Sequence, residues 1–351
     1  MDCFRRFAWL ALTLWLAACA PLAAPSATPT RISLPVQPPP AMFSSNLLNP
    51  VDSPRAYLQD TCQYLRYRWN PWNAQPGTVA LVVRFAEVYR GQGSESGVEI
   101  NTLKRMMLLL REQEFETITT KQLRDFLERN VRIPQRSVLI VRDGYFPFED
   151  YDKYFSEYWD AWGWTIANGW LSREGLTRKD WEAHQLLERS GLLDHQAMGR
   201  QPETYFTDDS SKVIINREMG AASDGFQKYF DKKPLAFVWN GGGFGLRPAR
   251  AARQMNYQLG FTYNPRGPVM FNWIPQADAQ DPARPTLLPE GYIGDPLMTL
   301  PRYHPREVFE QLDNVRLIGN AAKEYAEAHK AEEIDYYNTV CLPNYGPLPS
   351  P

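Results

Sequence analysis

The sequence predicts an α/β domain in which parallel strands alternate with helices, closed as a sheet or a barrel. Three observations carry this expectation. Residues 79–83, 138–141 and 235–238 are continuous apolar runs, the pattern of strands covered on both faces. Between such runs lie helical periods, as where Leu103, Met106, Met107 and Leu110 recur at i, i+3, i+4 and i+7. The part of the chain with such patterning is roughly 300 residues long, a size that suits an α/β barrel. A 44% hydrophobic content supplies its core, and a net charge of −2 with interspersed signs gives no footprint for nucleic acid.

From the N-terminus, Arg5 and Arg6 precede a short apolar run over residues 7–16 that ends in Ala17 and Ala18. A spanning helix needs about 20 apolar residues, so this run is read as an export signal covering residues 1–18. The string Leu16-Ala17-Ala18-Cys19 resembles a lipobox, which implies lipid on Cys19 and a chain exported and anchored to the cell envelope. Ala20 favours the outer membrane where the host has one. Residues 19–54 hold nine prolines among alanine, serine and threonine and are expected to be a tether; residues 55–345 form the domain. Export places Cys62 and Cys341 in an oxidising compartment, and a disulfide between the ends of the domain is expected.

Within the domain, Asn101 is a candidate cap for the first periodic helix and Thr120 for a second, with Leu123, Phe126 and Leu127 on one face. A third helix carries Tyr151, Tyr154, Phe155 and Tyr158, and a strand follows near residues 164–166. Thr177 and Asp180 open a helix that Gly191 ends, and Pro248 suits the first turn of another that carries Ala251, Ala252, Met255 and Leu259. In parallel α/β folds chemistry gathers where strand ends meet the following loops. Residues 142–145 and 239–245 lie at such places.

The order of these pieces resembles the polysaccharide deacetylase family, also called the NodB homology domain. The likeness is carried by Ser137-Val138-Leu139-Ile140-Val141-Arg142-Asp143-Gly144-Tyr145, set against the family's S-V-x-I-T-F-D-D-G-Y, with Phe115-Glu116-Thr117-Ile118-Thr119 before it and residues 247–262 after it. The resemblance implies a distorted (β/α) barrel and removal of acetyl groups from N-acetyl sugars. In that chemistry one aspartate and two histidines hold a divalent metal, zinc or a similar ion, and a second aspartate is the general base. Asp143 falls on the metal-binding aspartate. Arg142 falls on the base, a role a guanidinium with no acceptor atom cannot fill.

The two metal histidines have no counterpart pair: one alignment places Met198 and Pro202 there, the other His195 and Gly199. His195 is thus a candidate ligand, with Asp208 or Asp209 conceivable beside it and His304 able to approach from the C-terminal side. His184 and His329 read as surface residues. Tyr145, Trp239 and Trp273 are candidate cleft aromatics, and Asn240 and Gly241 are candidate substrate contacts in the glycine loop. The expected function is a degenerate deacetylase-like lipoprotein that binds an envelope or extracellular polysaccharide without metal. The alternatives are an active deacetylase with a rearranged metal site and a structural envelope lipoprotein.

Overall fold

The structure, a computed structural model, describes residues 39–173 and 175–350, so the expected signal, the lipidation site Cys19 and the first part of the tether lie outside the described residues. Seven strands form the main sheet: β1 (Val79–Phe85), β2 (Glu116–Thr117), β3 (Arg136–Asp143), β4 (Ile166–Leu171), β5 (Leu193–Gly199), β6 (Ala236–Val238) and β7 (Leu259–Phe261). They run β7-β6-β5-β4-β3-β1, all parallel, with β2 set against the first half of β3. The sheet curls, and a short stretch joins its two edges. Leu300 exchanges backbone bonds with Gly260 and Thr262 beside β7, while Tyr303 does so with Val82 and Arg84 of β1. The expected distorted (β/α) barrel is therefore present.

Helices α1 (Ile100–Glu112), α2 (Thr120–Arg129), α3 (Phe148–Trp162), α4 (Arg178–Ser190), α5 (Ala221–Phe230), α6 (Leu246–Gln254) and the long α7 (Pro305–Tyr336) accompany the sheet. Because side chains alternate along a strand, each strand feeds two cores. Ala80, Val82, Leu139, Val141, Ala167, Met198, Val238 and Phe261 fill the barrel interior. Val79, Leu81, Val83, Val138 and Ile140 face outward onto Leu103, Met107 and Leu110 of α1 and Tyr151 and Phe155 of α3. Truncating one of these, such as Ile140→Ala, removes contacts on a fully packed face and costs about 2–5 kcal/mol.

Several local expectations shift. Glu99 rather than Asn101 caps α1, because its carboxylate reaches two free backbone N–H groups. Thr119, one residue before Thr120, caps α2 through a reciprocal box with Gln122. The strand expected near 164–166 begins at Ile166, and Leu259 belongs to β7, since α6 ends at Gln254. Thr177, Asp180 and Gly191 bound α4 as expected, Gly191 at φ 86°.

Part of the segment expected to be a tether packs on the domain. Residues 52–55 pair antiparallel with residues 274–277, Asp52 is buried against Arg266 and Arg284, and Phe43 packs on Trp273 and Tyr325. Phe43, Leu48 and Asp52, together with this strand pairing and the bonds of Trp273 and Tyr325 to Phe43 O and Ala41 O, dock a stretch that otherwise reads as featureless. Among the described residues no helix is long and apolar enough to cross a membrane.

Cys62 and Cys341 form a disulfide, tying the helix Thr61–Arg68 to the segment that follows α7. Because the bond closes a loop of 279 residues, its reduction relieves a large restriction on the unfolded chain. Cys62→Ser with Cys341→Ser is expected to lower unfolding stability by about 2–4 kcal/mol in urea titration. Equal midpoints for the variant and the parent would refute this.

Candidate functional site

The C-terminal end of the barrel is built around Asp143, the last residue of β3. Parity places its side chain in the interior, in line with Val141 and Leu139. Arg302 meets it there through a two-pronged ion pair, Nη1 to Oδ1 at 2.6 Å and Nη2 to Oδ2 at 3.1 Å, while its Nε donates to Thr262 O at 2.7 Å. Both side chains are buried. Tyr263, just past β7, lies beside them, and burial together with the Asp143 carboxylate pushes its phenol pKa up. Arg84, near the end of β1, stacks on the same ring at 3.8 Å, with Arg302 at 5.0 Å from it.

Arg142 is not in this mouth. It has the opposite parity to Asp143, and its buried guanidinium lies over Phe146 and Tyr151, with Asp150 of α3 at 3.6 Å. Its carboxylate partner, Asp150, is on the helix side of the sheet. The cation held by Asp143 is Arg302, which the sequence reading passed over in favour of its neighbour His304.

His195 follows Arg142 to the helix side, because Arg142, Asn168 and His195 are register partners across β3, β4 and β5. Its Nδ1 contacts Glu188 Oε2 at 2.6 Å and its Nε2 contacts His184 Nδ1 at 3.0 Å; His184 Nε2 reaches Phe146 O at 2.9 Å. Lys232 also pairs with Glu188. His184, expected on the surface, is 1% exposed. It shares the inner face of α4 with Trp181 and Leu187, an i, i+3, i+6 spacing visible in the sequence. Since Phe146 O only accepts, His184 donates to it from Nε2 and accepts from His195 at Nδ1. The proton of the short Glu188–His195 contact completes the chain. Burial and the neighbouring His195 push the His184 pKa down to about 3. Glu188, pushed up by burial, is held at about 2 by His195 and Lys232.

The remaining candidates divide. Tyr145 is half-buried at the rim, its hydroxyl 3.1 Å from Asp180, with Arg173 over its ring. Trp239 is fully buried, donates Nε1 to Met298 O at 2.8 Å and packs with Phe206 and Phe237. It shares the outward parity of Phe237 and cannot stack on a ligand. Trp273 is buried and bonds Phe43 O. It lines a cavity of about 300 Å³ reached from Thr78, just before β1 begins, and therefore at the end of the barrel opposite Asp143. Asn240 is buried and ties residues 201 and 202 to the glycine loop. Gly241, at φ 60°, and Gly243 leave room for Tyr205: a side chain at Gly243 would collide with that ring.

Tyr205 is 51% exposed, and Tyr292, whose phenol is pushed up to about 12 by partial burial and by Asp208 beside it, is 47% exposed. These rim aromatics were missed; their only sequence signal was an aromatic in a polar loop. His304 caps α7 and contacts Gly97 O, and Asp208 accepts from Leu246 N and Arg247 N, so both are engaged structurally. Asp209 makes a turn contact with Thr207. His329 lies in α7 against Glu332. Among the described residues no three His, Cys, Asp or Glu side chains gather as a metal site requires. The residues at the mouth do not fit a divalent ion: the retained aspartate is neutralised by Arg302, and the nearest imidazole pair is on the other face of the sheet.

The sequence matches no family model and no curated protein. Among solved structures, the fold is similar to a Streptococcus pyogenes deacetylase, PplD, in complex with acetate, at 13% identity and TM-score 0.52, covering 67% of this chain and 98% of that one. It is also similar to a de-N-acetylase from Aggregatibacter actinomycetemcomitans, at 14% identity and TM-score 0.51, covering 68% and 99%. A Bacillus cereus polysaccharide deacetylase aligns at 13% identity and TM-score 0.49, covering 68% and 69%. The resemblance read from the sequence is thus a shared polysaccharide-deacetylase fold.

Two predictions follow from the buried polar groups. Arg302→Met is expected to destabilise the protein by about 3–5 kcal/mol, because it strands a buried carboxylate, whereas Asp143→Asn combined with Arg302→Met recovers part of the loss. Additive losses in chemical denaturation would disprove the pairing. His184, whose folded pKa lies below that of the unfolded chain, leaves the unfolded state binding more protons between about pH 6.5 and 3. Stability is full above that window and falls on acidification, by up to about 1.4 kcal/mol per pH unit for one histidine. Urea midpoints between pH 7.5 and 5 should fall less steeply in His184→Gln; equal slopes would count against a buried neutral imidazole.

Proposed function

We propose that this chain is a non-catalytic relative of the polysaccharide deacetylases, held at the cell envelope by lipid on Cys19 and binding polysaccharide at the C-terminal mouth of its barrel. The observation that carries this reading is the state of Asp143. A catalytic zinc site usually draws three protein ligands, and here the single aspartate at the mouth is already bound on both oxygens by Arg302. A cation approaching it would meet that guanidinium, in a partly dry cleft where repulsion is stronger than in water.

Sugar binding is supported by the rim. Tyr145, Tyr205 and Tyr292 present partly exposed rings on loops at or near strand ends, where apolar sugar faces can be covered. Two solved structures of similar fold are named a deacetylase and a de-N-acetylase, and parallel barrels carry their chemistry at the C-terminal end of the strands, which supports a glycan as the occupant of this mouth.

With chito-oligosaccharides and added zinc, the full chain is expected to release no acetate, yet to be retained on immobilised glycan. Tyr205→Ala should weaken retention about 5- to 10-fold, the loss of roughly 1 kcal/mol of ring contact. Acetate release that Asp143→Ala abolishes would instead support a working deacetylase with a rearranged site. Absence of glycan retention together with absence of acetate release would favour a structural envelope role.

A further inference from the structure

Arg84 is a cationic group at the mouth that makes no ion pair among the described residues. It sits one residue before the end of β1, paired in register with Val141, so its side chain enters the barrel interior beside Asp143. Its backbone N–H is used by Tyr303 O. Its guanidinium is half-buried, stacked on Tyr263, and among the described residues it has no hydrogen-bond or ion-pair partner; its Nε is sealed from solvent.

Two carboxylates act on Arg84 through space, and neither is in contact with it. Asp143 is bound on both oxygens by Arg302, and Glu307 accepts the backbone N–H of His304. The mouth therefore holds two guanidinium groups on one tyrosine ring with one carboxylate between them. Burial and the proximity of Arg302 both disfavour the charge on Arg84. A guanidinium placed this way, against a ring and in contact with no carboxylate, is matched by an oxyanion, which would add a two-pronged bond and relieve the repulsion between the two cations.

We infer that the barrel mouth contains an oxyanion subsite in which Arg84, stacked on Tyr263 beside the Asp143–Arg302 pair, receives the carboxylate or phosphate of an acidic glycan. This rests on the glycan reading of the mouth and specifies the class of sugar it takes. Arg302 positions the subsite by occupying Asp143, which would otherwise neutralise Arg84 itself. Tyr263 holds the guanidinium plane.

The test is calorimetry on the full chain with three oligosaccharides of equal length: neutral N-acetylglucosamine, alternating N-acetylglucosamine and glucuronate, and a mannose oligomer carrying phosphate. At least tenfold tighter binding of one acidic oligomer is expected, and which one binds identifies the oxyanion. Arg84→Gln should erase that preference, while Arg84→Lys, which keeps the charge without the fork, should retain part of it. Separately, glucuronate or inorganic phosphate should shift the Arg84 Nε–Hε resonance. Equal binding of all three oligomers, unchanged by Arg84→Gln, would overturn the subsite and leave the glycan reading standing. A shift of the Arg84 resonance with no oligomer bound would keep the subsite and remove the glycan reading. Neither binding nor shift would overturn both.

Discussion

A strand covered on both faces sends successive side chains to opposite layers, and a parallel barrel cannot relax that rule without exposing backbone. In this chain the alternation sorts the chemistry as firmly as it sorts the cores. Asp143 shares the inward row with Val141 and Leu139, while Arg142 shares the outward row with Ile140 and Val138. Register carries the division across strands. Asn168 and His195 lie level with Arg142, and Gly169 and Gln196 lie level with Asp143. An imidazole on the first row and a carboxylate on the second belong to different compartments of the molecule. No rotamer change brings them together, because the sheet lies between them.

The mouth has a second dependence, on the stretch that closes the barrel. Leu300 and Tyr303 supply the backbone bonds that join β7 to β1, and Arg302, between them, is bound through its backbone N–H to Asn264 O. The same four residues therefore finish the sheet and deliver the guanidinium to Asp143. A buried ion pair adds little stability relative to apolar packing, but breaking it leaves an uncompensated charge. Arg302 is fixed by this asymmetry: with Asp143 present in the interior, the closing strand can settle only where a cation meets it. Closure of the barrel and neutralisation of the aspartate are one structural event.

The barrel strands were legible because continuous apolar runs admit few other readings, and the resemblance around residues 137–145 set their order. The disulfide was legible from the expected export and from the two domain cysteines left to pair. What escaped was whatever depended on which side of a strand a residue faces. Trp239 reads as a cleft aromatic from its place after a strand, yet one step of alternation puts it with Phe237 in the outer core. His184 reads as a surface residue until its spacing with Trp181 and Leu187 is counted. Arg302 could not be found locally, since its partner lies 159 residues away. The docked segment 39–54 was hidden for another reason: its composition is that of a linker, and few of its side chains carry the docking.

The helix layer, though closed to any ligand, still shapes the mouth. The turn after β3 carries Tyr145 outward to the rim, and two residues of α4 hold that turn: His184 bonds Phe146 O, and Asp180 takes the Tyr145 hydroxyl. α4 is in turn tied to β5 and to the end of α5 through Glu188, His195 and Lys232. Buried polar chains of this kind are costly unless every member is satisfied, and once satisfied they admit few alternative arrangements. The polar groups on the far side of the sheet therefore fix where the rim aromatic Tyr145 stands. A substitution at Glu188 or His184 would be felt at Tyr145, although no atom of either can touch what binds there.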